Sequence, residues 1–377
     1  MAATRPKLIY ASYVLALSSV TLFVLGAIVA HFARARVESQ LEITGSWFTD
    51  HDAEIGIVLA RNSDTKYRDR ARDLDFSLYT DSRGMRVSAA GESSPAPADL
   101  LLVGASFVLG WGVDYEDSMV PLVARSTGLR IANASIPAVG TLSSARQIER
   151  HAELRPSWVV YGLTDYHLER NTCPCAAERA APYCQTQTFV DFTPDRRAYA
   201  RPPIESFFAP ALGSRYTFDA IIRERSLIRG SYWGIRTVLA LGYRRLIQTC
   251  ERNRATEIPA FDFALDEMVK ASRAIDAELA ILYIPPLKPY ASRESALARR
   301  LDELRSELPV FDMTPLVADF YDRPARSGQP LIFERDIHPT AAGQAVMAAG
   351  LCILLVQQGW VESADSCDPA WLGGAPR

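Results

Sequence analysis

Lysine is nearly missing from this 377-residue chain: of 41 basic residues only Lys7, Lys66, Lys270 and Lys288 are lysines. Arginine carries the rest, and 44 acidic residues leave a net charge of −3. No basic field therefore recommends a nucleic acid partner. Histidine is scarce as well, with five residues at positions 31, 51, 151, 167 and 338, too few for a histidine-rich metal site. Six cysteines are too sparse to staple a chain of this length as a disulfide scaffold. Gly110-Trp111-Gly112 has no third glycine opening a helix at the spacing a dinucleotide fingerprint needs. No metal or nucleotide motif is present, so no cofactor is expected. No internal repeat is visible.

One further absence is local. From Leu8 to Ala33, 26 residues, nothing carries a full charge. A bilayer core needs about 20 apolar residues, whereas the apolar part of a signal peptide runs to only about 7–15. The stretch is expected to be an uncleaved anchor, with Ala33-Arg34-Ala35 as a weak cleavage-like site. Arg5 and Lys7 before it nearly balance Arg34 and Arg36 after it. The cysteines downstream read better in an oxidising compartment, which places the N-terminus inside and the rest outside the cytoplasm of a bacterial inner membrane.

What is present is ordinary globular material, 48% hydrophobic and 23% charged, enough for a sizeable core. Residues 1–36 form the cytoplasmic tip and anchor. Residues 37–98 form a stalk, polar over 34–46, and a small β-rich front segment, with strands near Ile55–Leu59 and Phe76–Tyr79. Ser82-Arg83-Gly84 is a turn signal and 91–97 a linker. From 99 to 360, apolar strands alternate with helices: strands at 100–103, 129–133, 158–161, 279–284 and 310–311, helices at 117–126, 142–154, 262–277, 292–307 and 340–358. That alternation predicts an α/β three-layer sandwich around a five-stranded parallel sheet. Residues 171–260 are an insertion and a candidate lid, and 361–377 a tail.

An open parallel sheet binds ligands beyond the carboxyl ends of its strands. Strand one ends in Gly104-Ala105-Ser106-Phe107, followed by Gly110-Trp111-Gly112-Val113. Strand two ends in Asn133-Ala134-Ser135-Ile136-Pro137-Ala138, and strand three in Gly162-Leu163-Thr164-Asp165. Asp336-Ile337-His338-Pro339, with Ala342-Gly343, precedes the last helix. These blocks, together with Asp52-Ala53-Glu54-Ile55-Gly56 and Asp81-Ser82-Arg83-Gly84 in front, resemble the SGNH (GDSL-type) esterase and lipase family, especially its bacterial membrane-anchored members. The resemblance covers about 50–165 and 260–356.

It implies strand order 2-1-3-4-5 and a Ser-His-Asp mechanism. Ser106 is the nucleophile, and His338 is the base that takes its proton. Asp336 fixes the imidazole tautomer, with Glu334 in reserve. The Ser106 and Ala138 amides and the Thr164 side chain are the oxyanion donors, with Trp111 and Asn133 nearby as substrate-binding candidates. The sequence departs from the family pattern at four places. Ala105 stands for an aspartate, Ala138 for a glycine and Thr164 for an asparagine, and the acid lies two residues before the histidine, position 335 being an arginine. His167 is read as non-catalytic and His151 as a solvated helix position.

The expected activity is cleavage of an acetyl or other small acyl ester on an envelope carbohydrate. The alternatives are O-acyl transfer to a cell-envelope polysaccharide and a non-catalytic carbohydrate-binding module. A Cys352–Cys367 disulfide is expected, closing a loop of about 15 residues worth roughly 3 kcal/mol in the chain-entropy model. Cys250 is expected to pair with one of Cys173, Cys175 and Cys184.

Overall fold

The computed structural model describes residues 5–172, 189–193, 195–202, 254–289, 296–323 and 329–362. The chain divides into two compact units. The first comprises Met1–Leu41, Pro174–Gln185 and Ile204–Arg252; the second comprises Glu42–Cys173, Thr186–Pro203 and Asn253–Arg377.

In the first unit the described element is helix α1, Arg5–Gln40. It runs into the expected polar stalk as far as Gln40, because 34–40 holds neither glycine nor proline to stop it. Among the described residues no helix is long and apolar enough to cross a membrane; not every side chain of α1 is described. Those that are include exposed Tyr10, Leu17, Val20, Leu22, Val24, Leu25 and Ile28.

The second unit opens with strands β1 (Leu41–Gly45), β2 (Thr49–Asp52), β3 (Gly56–Leu59), β4 (Asp64–Asp69), β5 (Leu74–Thr80) and β6 (Arg86–Val87). They form a sheet in the order β1-β4-β5-β6 and a separate β2-β3 hairpin. In β5 burial alternates, Leu74, Phe76 and Leu78 facing in, as a half-buried strand requires. Asp81 closes the turn after β5. Its buried carboxylate accepts the amides of Arg83 and Met85 at 2.8 and 3.0 Å.

The main domain follows with β7 (Leu100–Gly104), α2 (Ser106–Leu109), α3 (Met119–Thr127), β8 (Ile131–Asn133), α4 (Thr141–Arg150), β9 (Trp158–Leu163) and α5 (Tyr166–Arg170). After the antiparallel pair β10 (Phe189–Phe192) and β11 (Ala198–Arg201) come α6 (Glu257–Ala274), β12 (Glu278–Tyr283), α7 (Ala296–Leu304), β13 (Val310–Asp312), α8 (Thr314–Asp322) and α9 (Ala341–Gln357). The sheet order is β13-β12-β9-β7-β8, the expected 2-1-3-4-5 read from the other edge. The paired strands are parallel.

Period-two alternation divides each strand between two cores. Leu101, Val103, Val159, Tyr161 and Ile281 pack with Ile148 of α4, Phe261 and Met268 of α6 and Leu301 of α7. Leu100, Leu102, Val160, Ala280 and Leu282 pack with Val120 of α3, Phe320 of α8 and Leu351 of α9. Both faces are covered, which is why the strands read as unbroken apolar runs.

The short helices α2, α5 and α8 are additions to the expected list. The helix expected at 117–126 is α3; Ser118 is its N-cap, and Asp117 lies in a 3-10 turn before it. Within the expected 171–260 insertion, β10, β11 and 254–260 are described. Cys173, Cys175, Cys184, Cys250 and Cys367 lie outside the described residues. Cys352, buried on α9, is disulfide-bonded.

Candidate active site

β7 runs out through Gly104, and Ser106 is the first residue of α2. The turn is tight because α2 lies directly on the sheet. A Cβ on Gly162 of β9 would stand 2.1 Å from Cγ2 of Val108, and one on Gly104 would stand 2.8 Å from the Gly162 carbonyl oxygen. Two glycines paired across β7 and β9 thus let the helix settle where Ser106 faces the carboxyl edge.

His338 meets Ser106 from the far end of the chain. Its Nε2 lies 2.8 Å from Ser106 Oγ. Its Nδ1 is hydrogen-bonded to Asp336 Oδ1, and the same carboxylate oxygen accepts the His338 backbone N–H at 2.9 Å. The spacing of two serves both bonds: an aspartate two residues before the histidine folds back as an Asx turn and reaches amide and ring together. The loop is closed at its base, Phe333 N–H donating to the His338 carbonyl at 3.1 Å and Thr340 N–H to Leu331 at 3.0 Å. Thr340 then caps α9, its Oγ1 accepting the Gly343 amide at 3.2 Å.

The chain Ser106 Oγ, His338, Asp336 is nearly dry. Ser106 and His338 are 6% and 8% exposed. Phe107 and Trp111 flank the imidazole, ring centres 5.7 and 6.2 Å away. Burial pushes the Asp336 carboxyl up, but the hydrogen bonds and charge of His338, with Arg72 behind, outweigh it and hold the group below its ordinary value. Glu334, the reserve acid, is exposed.

Ala138 stands at φ +64°, left-handed backbone that favours glycine. Alanine here adopts a conformation that glycine takes freely. Among the described residues, neither the Ala138 nor the Ser106 amide has a partner within the protein, so both are free to serve as donors.

Three of the expected site residues do other work. Trp111 is 1% exposed and offers no surface to a substrate. It packs in an aromatic cluster with Phe48, Tyr67 and Phe76, ring centres 5.0–5.1 Å away, because the burial of so large an apolar ring outweighs the loop-like look of Gly-Trp-Gly. Asn133, 2% exposed, is a brace. Its Nδ2 donates to the Val108 carbonyl at 3.0 Å and its Oδ1 accepts the Ser135 amide at 3.1 Å. Thr164 turns to His167: its amide donates to His167 Nδ1 at 3.0 Å, and its Oγ1 lies 3.0 Å from the same nitrogen. His167 is fully buried. Burial first, then Arg170, pushes its imidazole down to about 3, so it is neutral and accepts.

Three residues escaped the sequence reading. Buried Arg86, on β6, donates through Nη1 to the Leu109 and Gly110 carbonyls at 2.8 and 2.6 Å and through Nη2 to Val113 at 2.6 Å. It gathers the open end of α2. Gln344 of α9, fully buried, donates to the Phe107 carbonyl at 2.9 Å and accepts the Met119 amide at 3.0 Å. Arg72 Nε stands 3.7 Å from Asp336 Oδ2. None carries a sequence signal beyond its place near a quoted block.

No family model matches the chain, and no curated protein does. Solved structures are similar to it at low identity. TesA is 14% identical, covered over 97% of its length by 68% of this chain, with a TM-score of 0.36. Axe2, an acetylxylan esterase from Geobacillus stearothermophilus, is 11% identical, with 72% of this chain and 100% of that one covered and a TM-score of 0.37. SsfX3, a salicylyl-acyltransferase from a tetracycline biosynthetic pathway, is 11% identical, with 85% and 78% covered and a TM-score of 0.35. The functional reading rests on the geometry around Ser106.

Proposed function

We propose that the protein is a membrane-anchored serine hydrolase of the SGNH kind that cleaves an acetyl or other small acyl ester on an envelope carbohydrate. The observation that carries the reading is the hydrogen-bonded chain from Ser106 Oγ through His338 to Asp336. A serine hydroxyl attacks an ester at neutral pH only with a base beside it. His338 Nε2 takes the Ser106 proton as Oγ bonds to the ester carbonyl carbon. Asp336 holds the Nδ1–H and stabilises the imidazolium. The carbonyl oxygen gathers negative charge, which the Ser106 and Ala138 amides receive. Collapse breaks the bond to the alcohol oxygen, His338 returns the proton to it, and the acyl group stays on Ser106. Water, deprotonated by His338, then bonds to the acyl carbon; the bond to Ser106 Oγ breaks, His338 returns the proton to Oγ, and the carboxylic acid leaves.

Two features support the anchor and its side. Most of the described large apolar side chains of α1, among them Leu17, Val20, Leu22, Leu25 and Ile28, are exposed, which water disfavours and a bilayer does not. Cys352 is disulfide-bonded, which suits an oxidising compartment.

The test is turnover of p-nitrophenyl acetate by carbonate-washed membranes holding the full-length chain. Ser106→Ala and His338→Ala are each expected to lose about 10³-fold or more, and the double variant no more than either, because members of one catalytic unit are not additive. Wild-type turnover by Ser106→Ala would overturn the mechanism. Activity recovered in the carbonate wash would overturn the anchor.

A further inference from the structure

The hairpin between β4 and β5 reaches the acid of the Ser106 site. Asp69 ends β4 and Leu74 begins β5, the two residues being paired. The turn between them is held by Asp69, whose Oδ1 accepts the amides of Ala71 and Arg72 at 3.0 and 3.3 Å. This sets Arg72 between two carboxylates, its Nε 3.8 Å from Asp69 Oδ2 and 3.7 Å from Asp336 Oδ2. The oxygen facing Arg72 is the one His338 does not use. The Asp336 side chain is 6% exposed and that of Arg72 50%, so a partly solvated cation backs a buried anion.

We infer that Arg72 is a positioning residue that sets the basicity of His338 through Asp336, making a relay of four: Ser106, His338, Asp336, Arg72. The inference rests on the reading of Ser106 and His338 as nucleophile and base. A carboxylate hydrogen-bonded to Nδ1 stabilises the imidazolium. A cation on the far oxygen of that carboxylate offsets part of its field and keeps His338 deprotonated to lower pH. Among the described residues, the charged groups seen against the relay are Asp69 and Arg72 from the hairpin and Asp336 from the loop; Glu334 and Arg335, of opposite sign, are exposed. From α2 and the residues just beyond it, Ser106, Phe107 and Trp111 face the imidazole, none of them charged. Removing Arg72 leaves Asp69 and Asp336 without their shared counter-ion, and both then act in the same direction, raising the His338 pKa.

The experiment is a charge series at position 72 in the full-length chain: wild type, Arg72→Lys, Arg72→Gln and Arg72→Glu. The His338 pKa is followed by NMR with ring-labelled histidine, the resonance being assigned by its loss in His338→Gln. This readout needs no turnover. In parallel, the rate of Ser106 modification by a fluorophosphonate is measured against pH. Arg72→Lys is expected to keep the wild-type pKa, Arg72→Gln to raise it by about half a pH unit and Arg72→Glu by about one, the size of a partly screened unit charge. The acid limb of labelling should move with the pKa. Added salt should raise the wild-type value toward that of Arg72→Gln, since an exposed cation is screened. A merely structural role would lower the amplitude of labelling or the melting temperature without ordering the pKa by charge. One His338 pKa across the series, in variants that melt with the wild type, would overturn the inference whether or not the protein proves to be an esterase. A series that shifts as expected in a chain whose Ser106 never reacts would leave the relay in place and overturn the hydrolase reading instead.

Discussion

Ala138 sits at φ +64°, in a region that costs a non-glycine residue roughly 1 kcal/mol or more. The strain is held where the amide has no partner within the protein among the described residues, as befits a donor kept for a ligand. Ala138→Gly is expected to relieve it, raising the unfolding free energy by up to about 1 kcal/mol after the extra backbone entropy of glycine is subtracted, with turnover kept. Ala138→Val, branched at Cβ, is expected to lose at least about tenfold in turnover. Urea midpoints and kcat/KM for the two variants check both. At this scale the sequence was partly legible. Ser106 and His338 could be found because a strand-end serine and an acid-flanked histidine before a helix are both visible as strings. The φ of Ala138 could not, since alanine does not announce left-handed backbone. Trp111 and Asn133 misled because a loop-like string says nothing about which side chain the core will claim.

Among the elements, α2 shows how four residues are held in place. Gln344 reaches it from α9 and Asn133 from β8, while Arg86 gathers the carbonyls beyond it. Arg86 is buried without a carboxylate within ion-pairing distance among the described residues, and burial draws its guanidinium down to about 10, so it remains charged at neutral pH. A cation at the C-terminal end of a helix is favourable, and a guanidinium fans out to several carbonyls as an ammonium cannot. Arg86→Met, which strands those carbonyls, is expected to cost about 2–4 kcal/mol of stability and to lower kcat more than it raises KM. Arg86→Lys should recover part of both. Equal kinetics in Arg86→Met and wild type would refute the role. The parallel sheet and its order were legible because buried strands appear as unbroken apolar runs. The continuation of α1 to Gln40, and the short helices α5 and α8, were not, since one or two turns carry too few residues to show a period.

On the scale of the whole molecule, residues far apart in sequence meet at one edge of the sheet. Ser106 comes with β7, Ala138 follows β8, the Asp336–His338 pair precedes α9, and the front sheet adds Arg72 and Arg86. Ser77 of β5 donates its amide to Asp114 at 2.8 Å, and a Cβ on Gly112 would stand 2.8 Å from Phe333 and 3.3 Å from Leu74. Front sheet, the loop after α2 and the histidine loop therefore pack on one another. Such long-range meetings leave no local pattern, so the front segment looked like a β-rich approach to the domain when it is a wall of the site. The central claim is that Ser106 carries the acyl group. The full-length protein, mixed with p-nitrophenyl acetate and quenched in acid within one turnover, should show by peptide mass spectrometry a single added acetyl, about 42 Da, on the peptide holding Ser106, and none in His338→Ala; an acetyl that maps to another residue, or an equal yield on Ser106 without His338, would contradict the account.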